Sequence, residues 1–209
     1  MVPGRDRGTP DLLSPEERRR ASSFRRKEDR DCYVAAHTAL RVLLAGELGV
    51  APSSVVFARQ TCPACGGPHG RPTVPGAAVH YSLSRTDGLA VVAVADSPVG
   101  VDVERLPDAA AARETARALH PRERSELAEL TASEHPSAFA RCWTRKEASL
   151  KGLGTGLTGE LLAGRYVGTG PRPTPIKGWS LADVPVPAGY AAACAVRETP
   201  LTRPHREDR

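Results

Sequence analysis

The stretch "VGVDVERLP", Val99 to Pro107, decides how the rest of the chain is read. Valines at 99, 101 and 103 alternate with Gly100, Asp102 and Glu104. Successive side chains on a strand point to opposite faces, so the valines share a buried face and both acids share the other. The rise per residue sets those acids ~6.6 Å apart. A polar face turned to water is the plain account of such a pair. Yet the acids interrupt an apolar strand, and Gly100 beside them offers backbone room for a ligand.

Working outward, "VHYSLS" (79–84) and "GLAVVAVA" (88–95) read as strands, joined through "RTD" and "DSP" turns. Short strands with short connections predict an antiparallel meander ending in 99–104. Further upstream, "SVVFARQ" (54–60) reads as a strand, and "TCPACGGPHGRPTVPG" (61–76) as a loop crowded with Gly and Pro. Ser14, Pro15 and Glu17 form a capping box that opens a helix running through "RRRASSFRRKEDR". Tyr33, Ala36, Leu40, Leu43 and Leu44 continue its apolar stripe until Gly46–Gly49.

Downstream, "DAAAARETARALH" is helical, a helix follows His120-Pro121, and "HPSAFARCWTRKEASLKGLG" (135–154) is the strongest helix. There Phe139, Cys142, Trp143, Leu150 and Leu153 share a stripe. "GWSLADV" and "GYAAACAV" close the chain as strands. The halves echo each other: "SPEER" and "HPRER" each precede a helix carrying "RKE", at 26–28 and 145–147. An α+β unit used twice would set a site between its copies.

The totals fit this picture. A chain of 209 residues with 40% apolar content can build a sizeable core, although only three Phe, four Tyr and two Trp contribute to it. A net charge of +5 points to an anionic partner. No apolar run approaches ~20 residues, so no membrane span is expected. The start "MVPGRDRGTP" lacks an apolar signal core, and a cytoplasmic location is expected. Five cysteines, an odd number, argue against a disulfide framework. Cys62, Cys65 and His69 have partial zinc-ligand spacing, but no second pair lies nearby, and loop thiols are the favoured reading.

Glu147 and Lys151 stand four residues apart on one helix face, where a solvated pair contributes ~0.3–0.5 kcal/mol. If Glu147 joined Asp102 and Glu104, each carboxylate pair at ~5 Å would cost ~3 kcal/mol at an effective dielectric of ~20. A cation would make the cluster tolerable, and hard oxygen ligands suit Mg²⁺.

"VGVDVERL" and, some forty residues on, "WTRKEASLKGLGTGL" together resemble the paired signature of 4′-phosphopantetheinyl transferases. The length, the doubled layout, "HGRP" and "SLS" resemble the Sfp-type branch, over roughly residues 11–196. That resemblance implies an α+β fold of two similar α/β subdomains, antiparallel strands packed with helices, related by pseudo-twofold symmetry. The subdomains would span 11–101 and 102–196, with loose tails at 1–10 and 197–209. It implies transfer of 4′-phosphopantetheine from coenzyme A to a serine of an apo acyl or peptidyl carrier protein, releasing 3′,5′-ADP.

By the same resemblance, Asp102, Glu104 and Glu147 would hold Mg²⁺, or Mn²⁺ in its place. Glu147 would take the serine proton, directly or through water, and Lys151 would stabilise the departing phosphate. Arg20, Arg71, Ser84, Arg85, Asp102 and Lys151 would contact coenzyme A. Arg85 stands where the family has histidine, and Glu17 where one relative has lysine. The resemblance further implies a monomer serving polyketide or nonribosomal peptide synthesis. A degenerate homologue that binds carriers without catalysis is the alternative. A nucleic-acid-binding module is disfavoured, because residues 16–30 offer only Phe24 for stacking.

Overall fold

The structure is a computed structural model, and it describes residues 12–156 and 158–199. Short helix α1 (Pro15–Ser22) leads into α2 (Lys27–Leu48), followed by a 3₁₀ turn at Pro52–Ser54. Strands β1 (Ala58–Arg59), β2 (Pro72–Thr73), β3 (His80–Thr86), β4 (Leu89–Ala95) and β5 (Val99–Arg105) follow. Helices α3 (Ala109–Thr115), α4 (Pro121–Ala128), α5 (His135–Leu153) and α6 (Gly159–Gly164) precede β6 (Trp179–Asp183) and β7 (Tyr190–Arg197). Mixed helix and antiparallel sheet bear out the α+β reading.

The expected capping box is present: Ser14 Oγ accepts the Glu17 N–H and Glu17 accepts the Ser14 N–H. The helix does not run on, however. Ser22 and Ser23 hydroxyls donate back to the Arg19 and Arg20 carbonyls, and the chain breaks before α2 restarts at Lys27. Hydroxyls that compete for backbone acceptors favour such ends. Gly46 lies within α2, and Gly49 ends it with φ +66°. Leu40 and Leu44 are buried as read, whereas Leu43 is 48% exposed.

The meander is the main correction. β3 and β4 form a hairpin, but β5 leaves it for a three-stranded antiparallel sheet ordered β5-β7-β6. Between β3 and β5 a side chain replaces the ladder: Ser82 Oγ accepts the Val101 N–H at 3.0 Å. "SVVFARQ" also shrinks to the two-residue β1, which pairs with β2 inside the expected loop. The final strand reaches Arg197, whose N–H donates to the Pro98 carbonyl, so that residue belongs to the sheet. Glu198 of the expected tail is also held, its N–H donating to the Gly178 carbonyl, and positions 1–10 and 200–209 lie outside the described residues.

Two apolar clusters form the core. One joins Leu40, Leu44, Val55, Val74 and Tyr81; the other joins Leu119, Leu127, Phe139, Cys142 and Val167. A seam of Ala148, Ala193 and Ala195 packs α5 onto β7. Each fully buried Leu contributes ~1.5–3 kcal/mol.

The echoed motifs diverge in use. In each half, the capping-box glutamate is buried and pairs with a cation on the next long helix or beyond: Glu17 with Arg41, and Glu123 with Lys146, both at 2.7 Å. The "RKE" triplets do not correspond. Lys27 is exposed and pairs locally with Asp31, whereas Arg145 and Lys146 are fully buried in α5.

Candidate active site

Small residues create the site. A Cβ on Gly100 would lie 2.0 Å from the Ala148 carbonyl oxygen and 2.4 Å from the Gly152 nitrogen. The space read as room for a ligand is therefore filled by the backbone of α5. This close approach sets the last turns of α5 directly against β5.

The rotation of α5 is fixed by its buried cations. Arg145 forks onto Asp183 of β6 at 2.7 and 2.6 Å and donates to the Gly168 carbonyl. Lys146 donates to the Leu162 and Arg165 carbonyls and pairs with Glu123. Bidentate pairing is the stronger arginine geometry and holds the helix face in place. Glu147 and Lys151 then face β5.

Asp102 is almost fully buried, and it is the hub of the cluster. Its Oδ1 accepts Ser84 Oγ–H at 2.8 Å and Lys151 Nζ at 2.5 Å. Lys151 also donates to Ser84 at 3.0 Å and lies 3.9 Å from Glu147. Asp102 Oδ2 is buried with no hydrogen-bond partner. Such an orphaned oxygen is costly unless something else binds it.

Burial, and next the charge of Asp102, push both Glu104 and Glu147 up to about 7. Lys151 opposes both shifts, and hydrogen bonds from Thr86 to Glu104 and from Trp143 to Glu147 also favour the charged forms. Three carboxyls that sense one another, all oxygen donors, with one oxygen unpaired, fit a hard divalent cation that keeps several waters. The three carboxyls stand wider apart than mutual ligand spacing: among the described residues, the group that meets it is Cys62, Cys65 and His69.

The remaining expected residues fall in two places. Arg20 and Arg85 meet on the Phe24 ring, at 5.1 and 4.9 Å from its centroid, and Arg85 also covers Tyr33. Neither makes a salt bridge among the described residues, which leaves two cations free for an anion. Arg71 instead braces the end of α5, donating to the Gly152 carbonyl and to Gln60. Arg71 and Lys151 line a cleft of about 800 Å³ with His37, Arg41, Tyr81 and Glu17. Asp102, Glu104, Glu147, Arg20 and Arg85 lie off its wall. Glu17 is no loose anion there, because His37 and Arg41 both bind it.

Sequence reading misses three supporting groups. Trp143 reads as part of the apolar stripe, but it lies one turn from Glu147 and favours its charged form. The i, i+4 spacing is the available signal. Ser82 and Thr86 lie on the face of β3 that carries Ser84, and period-two spacing marks them.

Residues 98–166 match a family model described as the 4′-phosphopantetheinyl transferase superfamily. A putative 4′-phosphopantetheinyl transferase of Synechocystis sp. is 28% identical over 155 residues, 72% of this chain and 60% of the relative. The 4′-phosphopantetheinyl transferase HetI of Nostoc sp. is 32% identical over 151 residues, 69% of this chain and 61% of the relative. Sfp of Bacillus subtilis is 24% identical over 149 residues, 70% of this chain and 62% of the relative. The matched stretch thus spans about three fifths of these relatives' length. These matches bear out the resemblance carried by the two signatures.

Proposed function

From the premise that residues 98–166 carry the 4′-phosphopantetheinyl transferase superfamily match, we propose that this chain is a phosphopantetheinyl transferase. It moves the 4′-phosphopantetheine arm of coenzyme A onto a serine of an apo acyl or peptidyl carrier protein. The observation that carries this reading is that Lys151 of α5 binds Asp102 of β5 and lies beside Glu147, with Glu104 sensing the charge of Asp102 and Asp102 Oδ2 left buried without a partner.

Asp102, Glu104 and Glu147 would hold Mg²⁺, or Mn²⁺, which supplies positive charge to the diphosphate oxygens when bound. Glu147, with a carboxyl near neutral pH, accepts the serine proton as the serine oxygen bonds to phosphorus. The phosphorus–oxygen bond to the nucleotide breaks, and 3′,5′-ADP departs with that electron pair. Lys151 stabilises the departing phosphate, and its contacts with Asp102 and Ser84 hold its ammonium in position. Arg20 and Arg85 bind the nucleotide phosphates from the Phe24 ring, and arginine in place of histidine retains a forked donor there. Arg71 supports the end of α5 beside the cleft.

The reading retains two units, 11–101 and 102–196, related by pseudo-twofold symmetry, with β5 at their seam. No helix among the described residues is long and apolar enough to cross a membrane. Cytoplasmic action as a monomer, on carriers of polyketide or peptide synthesis, belongs to the same proposal.

Mass spectrometry of an apo carrier protein incubated with coenzyme A tests it. A gain of ~340 Da with Mg²⁺, absent with EDTA and restored by fresh Mg²⁺, is expected from the chemistry of the arm. No gain on any carrier, with coenzyme A bound normally, would favour a binding homologue instead.

A further inference from the structure

The loop between β1 and β2 builds a second constellation that phosphopantetheine transfer does not use. Cys62 N–H donates to the Gly67 carbonyl at 2.7 Å, and Gly66 N–H donates to the Cys62 carbonyl at 2.9 Å. Gly66 takes the left-handed φ of +74° that closes this tight turn. The Ala64 and Cys65 backbone N–H groups beside the Cys62 sulfur favour its thiolate and lower its pKa. A knuckle of this kind turns both sulfurs of Cys62-Pro63-Ala64-Cys65 to one side.

His69 returns to the same side, with Nε2 3.0 Å from Cys65 Sγ. Gly67 permits that approach, since a Cβ there would lie 2.9 Å from the imidazole Cδ2. The two sulfurs and the imidazole nitrogen all lie within 4.8 Å of one another. A tetrahedral zinc with Zn–S of ~2.3 Å and Zn–N of ~2.0 Å needs ligand atoms ~3.5–3.8 Å apart. All five cysteines are free, so no disulfide competes for these thiols.

We propose that Cys62 Sγ, Cys65 Sγ and His69 Nε2 bind one zinc ion, with water in the fourth position. Cys62 is buried while Cys65 and His69 are exposed, so the fourth position opens to solvent. Both thiols bind as thiolates, and their two protons pass to solvent on metal uptake. Soft sulfur with imidazole selects zinc over the hard cation suited to the carboxylates.

The site has structural work to do. β1 and β2 share only two residue pairs, Ala58↔Thr73 and Arg59↔Pro72, so the loop has little ladder to hold it. Cys62 Sγ lies 3.7 Å from the Thr155 carbonyl, which places the loop beside the end of α5, although a zinc-bound thiolate gives up the S–H bond made there. Two residues after His69, Arg71 donates to the Gly152 carbonyl in the last turn of that helix. Zinc would therefore pin the Arg71 loop against the helix that carries Lys151.

The test uses the full chain, reduced, exposed to zinc and then desalted, with metal read by elemental analysis. One tightly held zinc per chain is expected. Cobalt in its place should give thiolate charge-transfer absorption and the visible bands of a tetrahedral ion. The exposed pair is removed in Cys65→Ser/His69→Ala, with circular dichroism checking the fold. That variant should bind zinc at least about tenfold more weakly. Stripping zinc from the wild type should speed tryptic cleavage after Arg59 by about tenfold or more, because cleavage tracks the opened loop that bound zinc suppresses. No retained metal in folded, reduced wild type overturns the proposal, as does a Cys62–Cys65 disulfide with no zinc uptake after reduction. Undiminished zinc in the double variant would assign the metal elsewhere and overturn it too. None of these readouts uses coenzyme A or a carrier, so failure here is distinct from failure of the transferase reading.

Discussion

Asp102 is the residue on which the site turns, because one of its oxygens is shared by Ser84 and Lys151 while the other has no partner. On the proposed mechanism, Asp102→Ala removes a metal oxygen, and with it the anchor of Lys151. Lys151 remains 32% exposed and can keep its charge solvated, so the fold should survive. Transfer should fall at least about 100-fold, as should transfer by Glu147→Ala, which loses the proposed proton acceptor. Carrier mass shifts measure this, with unchanged circular dichroism; full activity in both variants would remove the mechanism. Arg85→His should retain transfer, since Arg20 still faces Phe24 and histidine can still donate to a phosphate. The acids were legible because strand alternation fixes their common face. Trp143 was not, because an aromatic on an amphipathic stripe reads as packing until the burial of the carboxyl one turn on is known.

At the scale of elements, the helices were legible and the strand partners were not. Caps and apolar stripes are local, so α4 and α5 could be read from their own residues. Whether β5 pairs with β4 or with β7 depends on contacts nearly a hundred residues apart, such as Val101↔Cys194. Nothing in "DSP" records that choice. Gly100 shows the same limit: the sequence marks a close approach but not what approaches. With α5 backbone there, Gly100→Ala must push helix and strand apart. It should cost about 3 kcal/mol or more in urea unfolding. Gly46→Ala is the contrasting case, a helical glycine with nothing within 4 Å of an added Cβ. That change should stabilise by about 0.5–1 kcal/mol. Equal effects of the two would remove the argument that β5 and α5 are held together by a missing side chain.

For the molecule as a whole, the carboxylate cluster links stability to pH and, on the proposed function, to divalent metal. Glu104 and Glu147 are both raised from 4.5 to about 7, by burial first and then by the charge of Asp102. The unfolded chain releases these protons near the ordinary glutamate value, whereas the folded chain holds them to about 7. Between those limits the folded state binds more protons, so stability falls as pH rises. Their contribution is most favourable below the unfolded value, and its loss is complete above the folded one. A divalent cation bound by the carboxylates displaces the same protons, so its stabilising effect must grow across the same window. Without Mg²⁺, the melting temperature of the wild type should decline between about pH 5 and pH 7.5 relative to Glu104→Gln/Glu147→Gln. Taking that difference removes the other titrating groups, including Glu17, which despite burial is held below its ordinary value by Ser14, His37 and Arg41. Added Mg²⁺ should raise the wild-type melting temperature more at about pH 7.5 than at about pH 5.5, and barely move the double variant. A shift of equal size at both values, or one that persists in the double variant, would place the ion away from these carboxylates.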